Sequence, residues 1–419
     1  MPVSLLLGCI ADDFTGATDL ANTLTRGGMA SVVLLGVPAT ASVPDADAIV
    51  IALKSRSAPA ADAARMSLDA LAWLKNAGAR QCYFKYCSTF DSTDAGNIGP
   101  VAEALIDALG ASFAIACPAY PSYGRSIYRG YLFVGDVLLS ESGMRDHPLT
   151  PMTDPSLVRV LQRQSRGRVG LIPHELVRQG AKAVREAADR LAVDGVRLAI
   201  ADALVDEDLL TLGEAFAESA LVTGGSGLAL GLPENFRRAG RLAERPGTAL
   251  PTVDAPAAVL AGSCSIATRR QVAAMKARCE WFEIDPIELR TRDDVIMRVL
   301  AWARPRIGAR PILIYSTADP DAVAKAQAAL GRERAGALVE AALGAIARGL
   351  VAMGVRRLVV AGGETSGAVV TALGVAALRV GAEIDPGVPW TATLGEPPLA
   401  LALKSGNFGG KDFFLKALQ

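Results

Sequence analysis

Two adjacent carboxylates, Asp12 and Asp13, are the residues of this sequence best placed to do chemistry. They follow a short apolar run at 5–11 and precede a small polar turn that contains Thr15. The run predicts a buried strand, and ligands bind at the carboxyl ends of parallel strands. An aspartate at that edge could orient a hydroxyl group and take up its proton. In the alternative interpretation, the pair only caps a turn and faces solvent.

A third acid, Asp91, lies in a loop at 88–93 that is rich in serine and threonine. Such a loop could hydrogen-bond a polyol, although the same residue types are common in ordinary turns and helix caps. Asp91 is therefore a further candidate for the proton acceptor. Thr15 and Ser92 are candidate contacts of a hydroxylated substrate.

Four basic residues are candidates to bind the carboxylate of an acidic substrate: Lys54, Arg56, Lys85 and Arg125. Lys54 and Arg56 follow an apolar run at 48–53, again at the predicted end of a strand. Arg125 lies in a tyrosine-rich segment, 118–153, that interrupts the βα rhythm. A bound anion needs such cations, because a buried charge requires a partner. In the alternative interpretation the aromatic segment only packs.

Three glycine-rich loops, at 262–265, 362–367 and 405–410, each follow a predicted strand in the second half of the chain. Glycines let backbone N–H groups approach an oxyanion, and serine or threonine hydroxyls donate to phosphate oxygens. Lys404 could neutralise such a phosphate. The candidate phosphate contacts are Ser263, Ser265, Gly362, Gly363, Glu364, Thr365, Lys404, Ser405 and Gly406. Tight βα turns also select glycine, which is the alternative, and the chain has no P-loop pattern.

Alternating apolar runs and helical patterns predict an α/β protein of two domains, each a mostly parallel sheet flanked by helices. One helix is predicted at 59–76, with Leu68, Leu71 and Leu74 on its inner side, and another at about 175–191. A segment rich in arginine and proline, 236–256, has little periodicity and predicts a linker.

The composition excludes several classes of protein. The 419 residues are 51% hydrophobic and 21% charged with no formal net charge, which argues against a nucleic-acid binder with a broad basic field. The run at 5–11 is too short to span a membrane, so we expect a soluble, cytoplasmic protein. Two histidines make a multi-histidine metal site impossible, and six cysteines without a CxxC pair favour reduced thiols.

Motifs along essentially the whole chain resemble those of the four-carbon acid sugar kinases. They are GCIADDFTGATDLA at 8–21, FKYCSTFDST and GNIGP within 84–100, TGGSGLA at 223–229, AGSCS at 261–265, GGETSG at 362–367 and KSGNFGG at 404–410. The string YFKYCSTFDST, together with HPLTPMTD at 147–154, is similar to the 3-oxo-tetronate kinase branch of that family.

The resemblance implies a sugar-acid-binding domain at 1–235, a linker at 236–256 and an ATP-binding domain at 257–419. It implies transfer of the ATP γ-phosphate to the terminal hydroxyl of 3-oxo-tetronate, giving 3-oxo-tetronate 4-phosphate. It also implies that Ser263, the 362–365 loop and Gly406 contact ATP. An active site in the cleft between two domains suits a kinase, because closure over the substrate excludes water.

Phosphoryl transfer usually involves a divalent metal, so we expect Mg²⁺ with ATP. Glu364 or an N-terminal aspartate could hold the ion, but the sequence does not identify its ligands. The expected partners are a small four-carbon acid and ATP, with neither nucleic acid nor membrane, and a homo-oligomer is left open. Two alternatives remain: a threonate or erythronate kinase, and a non-catalytic ligand sensor with two α/β lobes.

Overall fold

The computed structural model describes residues 5–39, 42–147, 150–243, 250, 253–308 and 310–419. The chain forms two compact units, Met1–Gly247 and Thr248–Gln419. Of the segment predicted as a linker, 236–238 belong to a helix, and 244–249 and 251–252 lie outside the described residues.

The first unit is built on eight parallel strands in the order β2-β3-β1-β4-β11-β5-β10-β9. The strands of this unit are β1 Leu7–Ala11, β2 Ser31–Leu35, β3 Ala48–Ala52, β4 Gln81–Lys85, β5 Ala114–Cys117, β6 Arg125–Tyr128, β7 Tyr131–Val134, β8 Val137–Leu138, β9 Arg168–Ile172, β10 Val196–Ala201 and β11 Leu221–Gly224. All five residues of β1, β3 and β4 are buried, as apolar strands covered on both faces require.

Eight α-helices accompany these strands in the described part of the unit. They are α1 Phe14–Arg26, α2 Ala60–Asn76, α3 Ile98–Leu109, α4 Leu157–Gln164, α5 His174–Val177, α6 Ala181–Val193, α7 Asp206–Ala215 and α8 Leu232–Arg238. Leu71 and Leu74 of α2 are buried as predicted, but Leu68 is 36% exposed, so its predicted inward position is wrong. The single helix predicted at 175–191 is two helices, because the chain turns at Gly180, whose φ of +96° suits glycine.

The segment that breaks the βα rhythm forms a separate antiparallel sheet in the order β6-β7-β8. The β6–β7 turn is anchored to the unit by Asp202, which is fully buried and accepts hydrogen bonds from the backbone N–H groups of Arg129, Gly130 and His174. The tyrosine-rich pattern therefore marks a β excursion whose turn is anchored near the carboxyl end of β10.

The second unit has seven strands in the order β13-β14-β12-β15-β18-β17-β16. They are β12 Ala257–Ala261, β13 Trp281–Glu283, β14 Ile312–Tyr315, β15 Arg357–Ala361, β16 Ala377–Asp385, β17 Val388–Thr393 and β18 Ala400–Lys404. The first five in that order are parallel, whereas β17 runs antiparallel to both of its neighbours. The helices are α9 Ile266–Lys276, α10 Pro286–Thr291, α11 Val295–Ala303, α12 Pro320–Leu330, α13 Arg332–Ala352, α14 Gly363–Ala372 and α15 Phe413–Ala417.

One segment, Arg334–Ala352 of α13, is long and apolar enough by composition to cross a membrane. It is also packed as a core helix of this unit. A Cβ built on Gly349 would lie 2.5 Å from a methyl group of Leu300 on α11, and one built on Gly344 would lie 3.0 Å from Ala372 on α14. The apolar composition of α13 is therefore explained by its close packing against α11 and α14.

Candidate functional site

Arg56 is the centre of the polar cluster at the carboxyl ends of β1, β3 and β4. Its guanidinium donates to both oxygens of Asp12 at 2.9 and 2.8 Å, and its Nη2 lies 2.9 Å from Asp13 Oδ1. Its Nη1 lies 3.7 Å from Asp91 Oδ2. The three aspartates predicted as catalytic candidates therefore surround one cation. We predicted Arg56 as a carboxylate contact of the substrate, but its charge is already engaged by these three side chains.

The backbone explains why these residues meet. Ala11, the last residue of β1, is in register with Ala52 of β3 and Lys85 of β4, so the three strands end side by side. The N–H of Asp12 donates to the carbonyl of Lys85, and the carbonyl of Asp12 accepts from the N–H groups of Ser55 and Arg56. The side chains that follow the strands are thereby held at one edge of the sheet.

Asp13 is the N-cap of α1, and its carboxylate accepts hydrogen bonds from the N–H of Gly16 at 2.8 Å and the hydroxyl of Thr15 at 3.0 Å. The capping interpretation is therefore correct for Asp13, but it is incomplete, because the same carboxylate also faces Arg56. Thr15, predicted to contact the substrate, donates its hydroxyl hydrogen to Asp13.

The environments of the two adjacent aspartates push their pKa values in opposite directions. Burial raises the pKa of Asp12, and Arg56 opposes that effect only in part. Burial also acts to raise the pKa of Asp13, but Arg56, Lys85 and the hydrogen bonds from Thr15 and Gly16 together lower it below its ordinary value. Asp13 is therefore ionised at neutral pH, and it is also the more accessible of the two, with side chains 27% and 4% exposed.

Lys85 is a buried cation beside this cluster. It is 3% exposed, and within the described part of the chain its ammonium has neither a hydrogen bond nor an ion pair at bonding distance. A Cβ built on Gly16 would lie 3.0 Å from Lys85 Nζ and 2.2 Å from Asp13 Oδ1, so only glycine fits between the two groups. A largely buried cation is stabilised by an anionic partner, which makes Lys85 the cation of this cluster best suited to an anionic ligand.

The loop that carries Asp91 has an unusual backbone. Phe90 and Asp91 both have positive φ, at +65° and +29°, and strain of this kind is concentrated at functional sites. Thr89 donates its hydroxyl hydrogen to Asp91 Oδ1 at 2.6 Å, which fixes the carboxylate. Ser92, predicted as a substrate contact, is buried and its hydroxyl accepts a hydrogen bond from Gln164, so its position supports the loop.

The remaining predicted cations lie outside this cluster of contacts. Lys54 is exposed, and its ammonium lies 5.6 Å from the ring centroid of Phe14. Arg125, on β6, donates to the carbonyl of Tyr123. The structure does not bring either of them into contact with the three aspartates.

Asn97 is a residue of this site that sequence reasoning missed. It is buried, and its amide Nδ2 lies 2.6, 3.2 and 3.1 Å from the carbonyl oxygens of Ser55, Arg56 and Ala58. These hydrogen bonds from Asn97 therefore stabilise the loop that carries Arg56. Its position just before α3, in the same GNIGP motif that carries the family resemblance, was the available signal.

In the second unit, the loops after β12 and β18 contact one another. Ser265 caps α9, and its hydroxyl and that of Thr268 lie 2.5 and 2.9 Å from the carbonyl oxygen of Gly406. A Cβ on Gly406 would lie 2.5 Å from the hydroxyl of Ser263. Ser405 precedes this glycine at the end of β18.

The loop after β15 lies beside them. The N–H of Gly362 donates to the carbonyl of Lys404, and Gly362 has a φ of +129°. Gly363 and Glu364 are exposed in the first turn of α14, whereas Thr365 is buried against Gly262. The small residues of these three loops and the N-terminus of α14 form a surface suited to phosphate.

Lys404, predicted to neutralise phosphate, occupies a different position. It is fully buried, and its ammonium donates to Thr268 Oγ1, Ser405 O and Gly406 O at 3.0, 2.9 and 3.0 Å. With all three of its hydrogens used, it contacts the loops from inside, so direct contact with phosphate is not its role in this arrangement. Burial lowers its pKa to about 7.

Two further residues brace the last loop. Gln271 Nε2 lies 3.0 Å from each of the carbonyl oxygens of Phe408, Gly409 and Gly410, and the carboxylate of Asp385 accepts from the N–H of Gly410 at 2.9 Å. Neither residue was predicted to support this loop, because Gln271 lies on α9 and Asp385 on β16, both distant from the loop in sequence.

Among the described residues, no group of three or more histidine, cysteine, aspartate or glutamate side chains could hold a metal ion. Mg²⁺ commonly binds through one or two carboxylates and substrate phosphates, so a single acid beside a phosphate surface fits its chemistry. Glu364, exposed next to Gly363, is such an acid.

Family models match both units. One described as a sugar-binding N-terminal domain matches residues 7–232, and one described as a nucleotide-binding C-terminal domain matches residues 258–414. The chain is 63% identical to a 3-oxo-tetronate kinase of Burkholderia multivorans, covering 99% of this chain and 97% of the relative. It is 61% identical to a 3-oxo-tetronate kinase of Cupriavidus necator, covering 99% and 96%.

Solved structures agree in fold. A Salmonella typhimurium LT2 protein described as a tRNA synthase has a TM-score of 0.89 and 44% identity, with 99% of each chain covered. A Haemophilus influenzae protein has a TM-score of 0.80 and 43% identity, with 98% of each chain covered. With more than 60% identity over almost its full length to 3-oxo-tetronate kinases, the chain belongs to the four-carbon acid sugar kinase family, in its 3-oxo-tetronate kinase branch.

Proposed function

We propose that this protein transfers the γ-phosphate of ATP to the terminal hydroxyl of 3-oxo-tetronate, giving 3-oxo-tetronate 4-phosphate and ADP. The observation that carries this proposal is the cluster of Asp12, Asp13, Asp91 and Arg56 beside the ammonium of Lys85, which has no carboxylate at bonding distance among the described residues. At one buried edge of the first unit, the cluster offers a carboxylate to accept the proton of a hydroxyl and a cation to bind a carboxylate. An acidic sugar requires both.

Lys85 is the proposed contact of the substrate's carboxylate. Arg56 already faces three carboxylates, which makes it a less favourable partner for a fourth than Lys85. A bound carboxylate would give Lys85 the acceptor that it lacks, and a charge-assisted hydrogen bond in a buried site is stronger than one between neutral groups. Lys54 and Arg125 remain candidates for a more peripheral contact.

Asp13 is the proposed acceptor of the hydroxyl proton, with Asp91 and Asp12 as further candidates. Asp12 is held by two hydrogen bonds to Arg56, whereas Asp13 is more accessible and is kept ionised by its neighbours. Phosphoryl transfer depends mainly on positioning and on neutralising charge, so a carboxylate that orients the hydroxyl suffices even if it is a weak base.

ATP is proposed to bind the second unit, with its phosphates on the loops that carry Ser263, Ser265, Gly362–Thr365, Ser405 and Gly406. Glu364 is the residue that would hold Mg²⁺, directly or through water, and the bound ion would neutralise phosphate charge. The domain limits 1–235 and 257–419, an active site in the cleft between them, and a homo-oligomeric state stay predictions.

A coupled ADP-release assay tests the proposal. Purified protein is given ATP, Mg²⁺ and one of a panel of four-carbon acids: 3-oxo-tetronates, threonate and erythronate of both hands. We expect the highest kcat/KM for a 3-oxo-tetronate. A higher value for threonate or erythronate would move the assignment to the alternative kinase, and no ADP release above background with any acid would favour the ligand sensor.

A further inference from the structure

The ammonium of Lys404 is buried beneath the last glycine loop of the second unit. It is 0% exposed, yet it lies at the carboxyl end of β18, directly before Ser405 and Gly406. A lysine in such a position costs free energy unless its donors are satisfied, and here all three are. The acceptors are the two loop carbonyls and the Thr268 hydroxyl on α9, and they include no carboxylate. This indicates that Lys404 maintains the conformation of the loop.

The carbonyl of Gly406 is the most heavily contacted atom of this loop. It lies 3.0 Å from Lys404 Nζ, 2.9 Å from Thr268 Oγ1 and 2.5 Å from Ser265 Oγ. The carbonyl of Ser405 lies 2.9 Å from the same ammonium. Two successive carbonyl groups are therefore drawn toward the interior of the unit.

A consequence follows for the N–H groups of the same two peptides. The peptide bonds after Ser405 and Gly406 are trans, so each N–H points away from its carbonyl. The N–H groups of Gly406 and Asn407 must then face away from Lys404. In the described part of the chain neither of them donates to a protein acceptor, whereas the next N–H, of Phe408, is turned back to Ser405.

We infer that Lys404 is a positioning residue for the nucleotide: it holds the 405–406 and 406–407 peptides so that two N–H groups face a phosphate. Successive outward N–H groups form a site for an anion. Lys404 acts through the backbone and does not touch the phosphate itself. Thr268 also holds this loop in place, because its hydroxyl accepts a hydrogen bond from Lys404 and donates one to the Gly406 carbonyl. This inference rests on the proposed binding of ATP to this unit.

The test compares Lys404→Met with Thr268→Val in the full-length protein. Methionine keeps the apolar bulk of the side chain and removes the ammonium that both carbonyls accept from. The carbonyl of Gly406 is then held only by the Ser265 and Thr268 hydroxyls, and that of Ser405 only by the N–H of Phe408, so the inward orientation of both is loosened. We expect KM for ATP to rise about 10- to 100-fold in Lys404→Met, the equivalent of one or two lost charge-assisted hydrogen bonds. Thr268→Val should show a smaller rise, and KM for the acid should be unchanged in both.

Lys325→Met is the matched control, since Lys325 is exposed on α12, away from the loops, and should leave both KM values unchanged. Calorimetric titration of each protein with ATP alone gives the second readout. An ATP affinity in both variants equal to that of the wild type would overturn the inference. A loss of ATP and acid affinity together, with a lowered Tm in both variants, would also overturn it, because that result indicates general damage. Failure of the wild type itself to bind ATP would instead refute the proposed function.

Discussion

Arg56 donates two parallel hydrogen bonds to Asp12, from Nε to Oδ2 at 2.9 Å and from Nη2 to Oδ1 at 2.8 Å. The two residues are 44 positions apart and follow β3 and β1, so the pair ties together two strand ends. Two planar groups joined in this way fix direction as well as distance. The pair therefore fixes the orientation of the guanidinium that Asp13 and Asp91 also face.

Replacing Arg56 should disable the site and weaken the fold. Arg56→Met leaves Asp12 buried without its cation, and removing one partner of a buried ion pair costs about 3–5 kcal/mol. We expect a lowered Tm and loss of measurable kcat. Arg56→Lys keeps the charge but not the two parallel hydrogen bonds. Compared with Arg56→Met, its Tm should therefore recover toward the wild-type value more than its kcat. Thermal unfolding and steady-state kinetics measure both quantities.

Arg65→Met is the control, because Arg65 is exposed on α2 and pairs with Asp62 near the surface. It should behave like the wild type, since such pairs contribute about 0–1 kcal/mol. Wild-type kcat in Arg56→Met would show that the cluster has no part in the reaction.

Lys85→Met should impair binding of the acid selectively. The variant removes the unpartnered ammonium and keeps an apolar chain of similar length, so the fold should tolerate it. We expect KM for the acid to rise about 10- to 100-fold, as for the loss of a charge-assisted hydrogen bond, with KM for ATP unchanged. Lys75→Met, at the exposed end of α2, is the matched control. An unchanged KM for the acid would place the anion partner elsewhere, with Lys54 and Arg125 next to be tested.

Asp13→Asn separates chemistry from capping. Asparagine caps a helix about as well as aspartate, so α1 and the Tm should be preserved. Loss of the proton acceptor should lower kcat by about 10²–10⁴. Asp12→Asn should instead lower the Tm as well, because the Asp12 carboxylate is held by Arg56. If Asp13→Asn turns over at the normal rate, Asp13 is only a cap, and the catalytic assignment passes to Asp91.

The pH dependence of the free energy of unfolding should reveal the titration of Lys404. Burial lowers its pKa to about 7 in the folded protein, from an ordinary 10.5. Between these values the unfolded chain holds a proton that the folded chain has lost, so this group makes stability rise with pH. The charged residues on the surrounding elements are Arg269, Arg270 and Lys276 on α9, Arg357 on β15 and Glu364 on α14.

Lys404→Met lacks this titration. The stability of the wild type relative to the variant should therefore increase by about 1.4 kcal/mol per pH unit between pH 7 and 10. Urea unfolding of both proteins across that range supplies the data. A constant difference would show that Lys404 stays charged throughout this range in the folded protein.

Local patterns were sufficient to predict the parallel strands and the position of Asp12 and Asp13 at a sheet edge, because apolar runs and their ends are visible in the sequence. They could not show that Arg56 lies among three carboxylates, since that depends on side-chain directions from loops that are distant in sequence. The inward orientation of Lys404 was hidden for the same reason, because a lysine beside a glycine loop is equally consistent with facing a phosphate. The break at Gly180 was missed because one glycine inside a helical pattern is often tolerated.

The position of the transferred phosphate tests the central claim most directly. The proton-coupled ³¹P spectrum of a reaction containing the protein, ATP, Mg²⁺ and 3-oxo-tetronate should show a new phosphomonoester. A phosphate on the terminal hydroxyl is split by the two adjacent CH₂ protons, so we predict a triplet that grows as the γ-phosphate signal of ATP falls. A doublet would place the phosphate on the C2 hydroxyl, and inorganic phosphate alone would mean hydrolysis without transfer; either result would contradict the account.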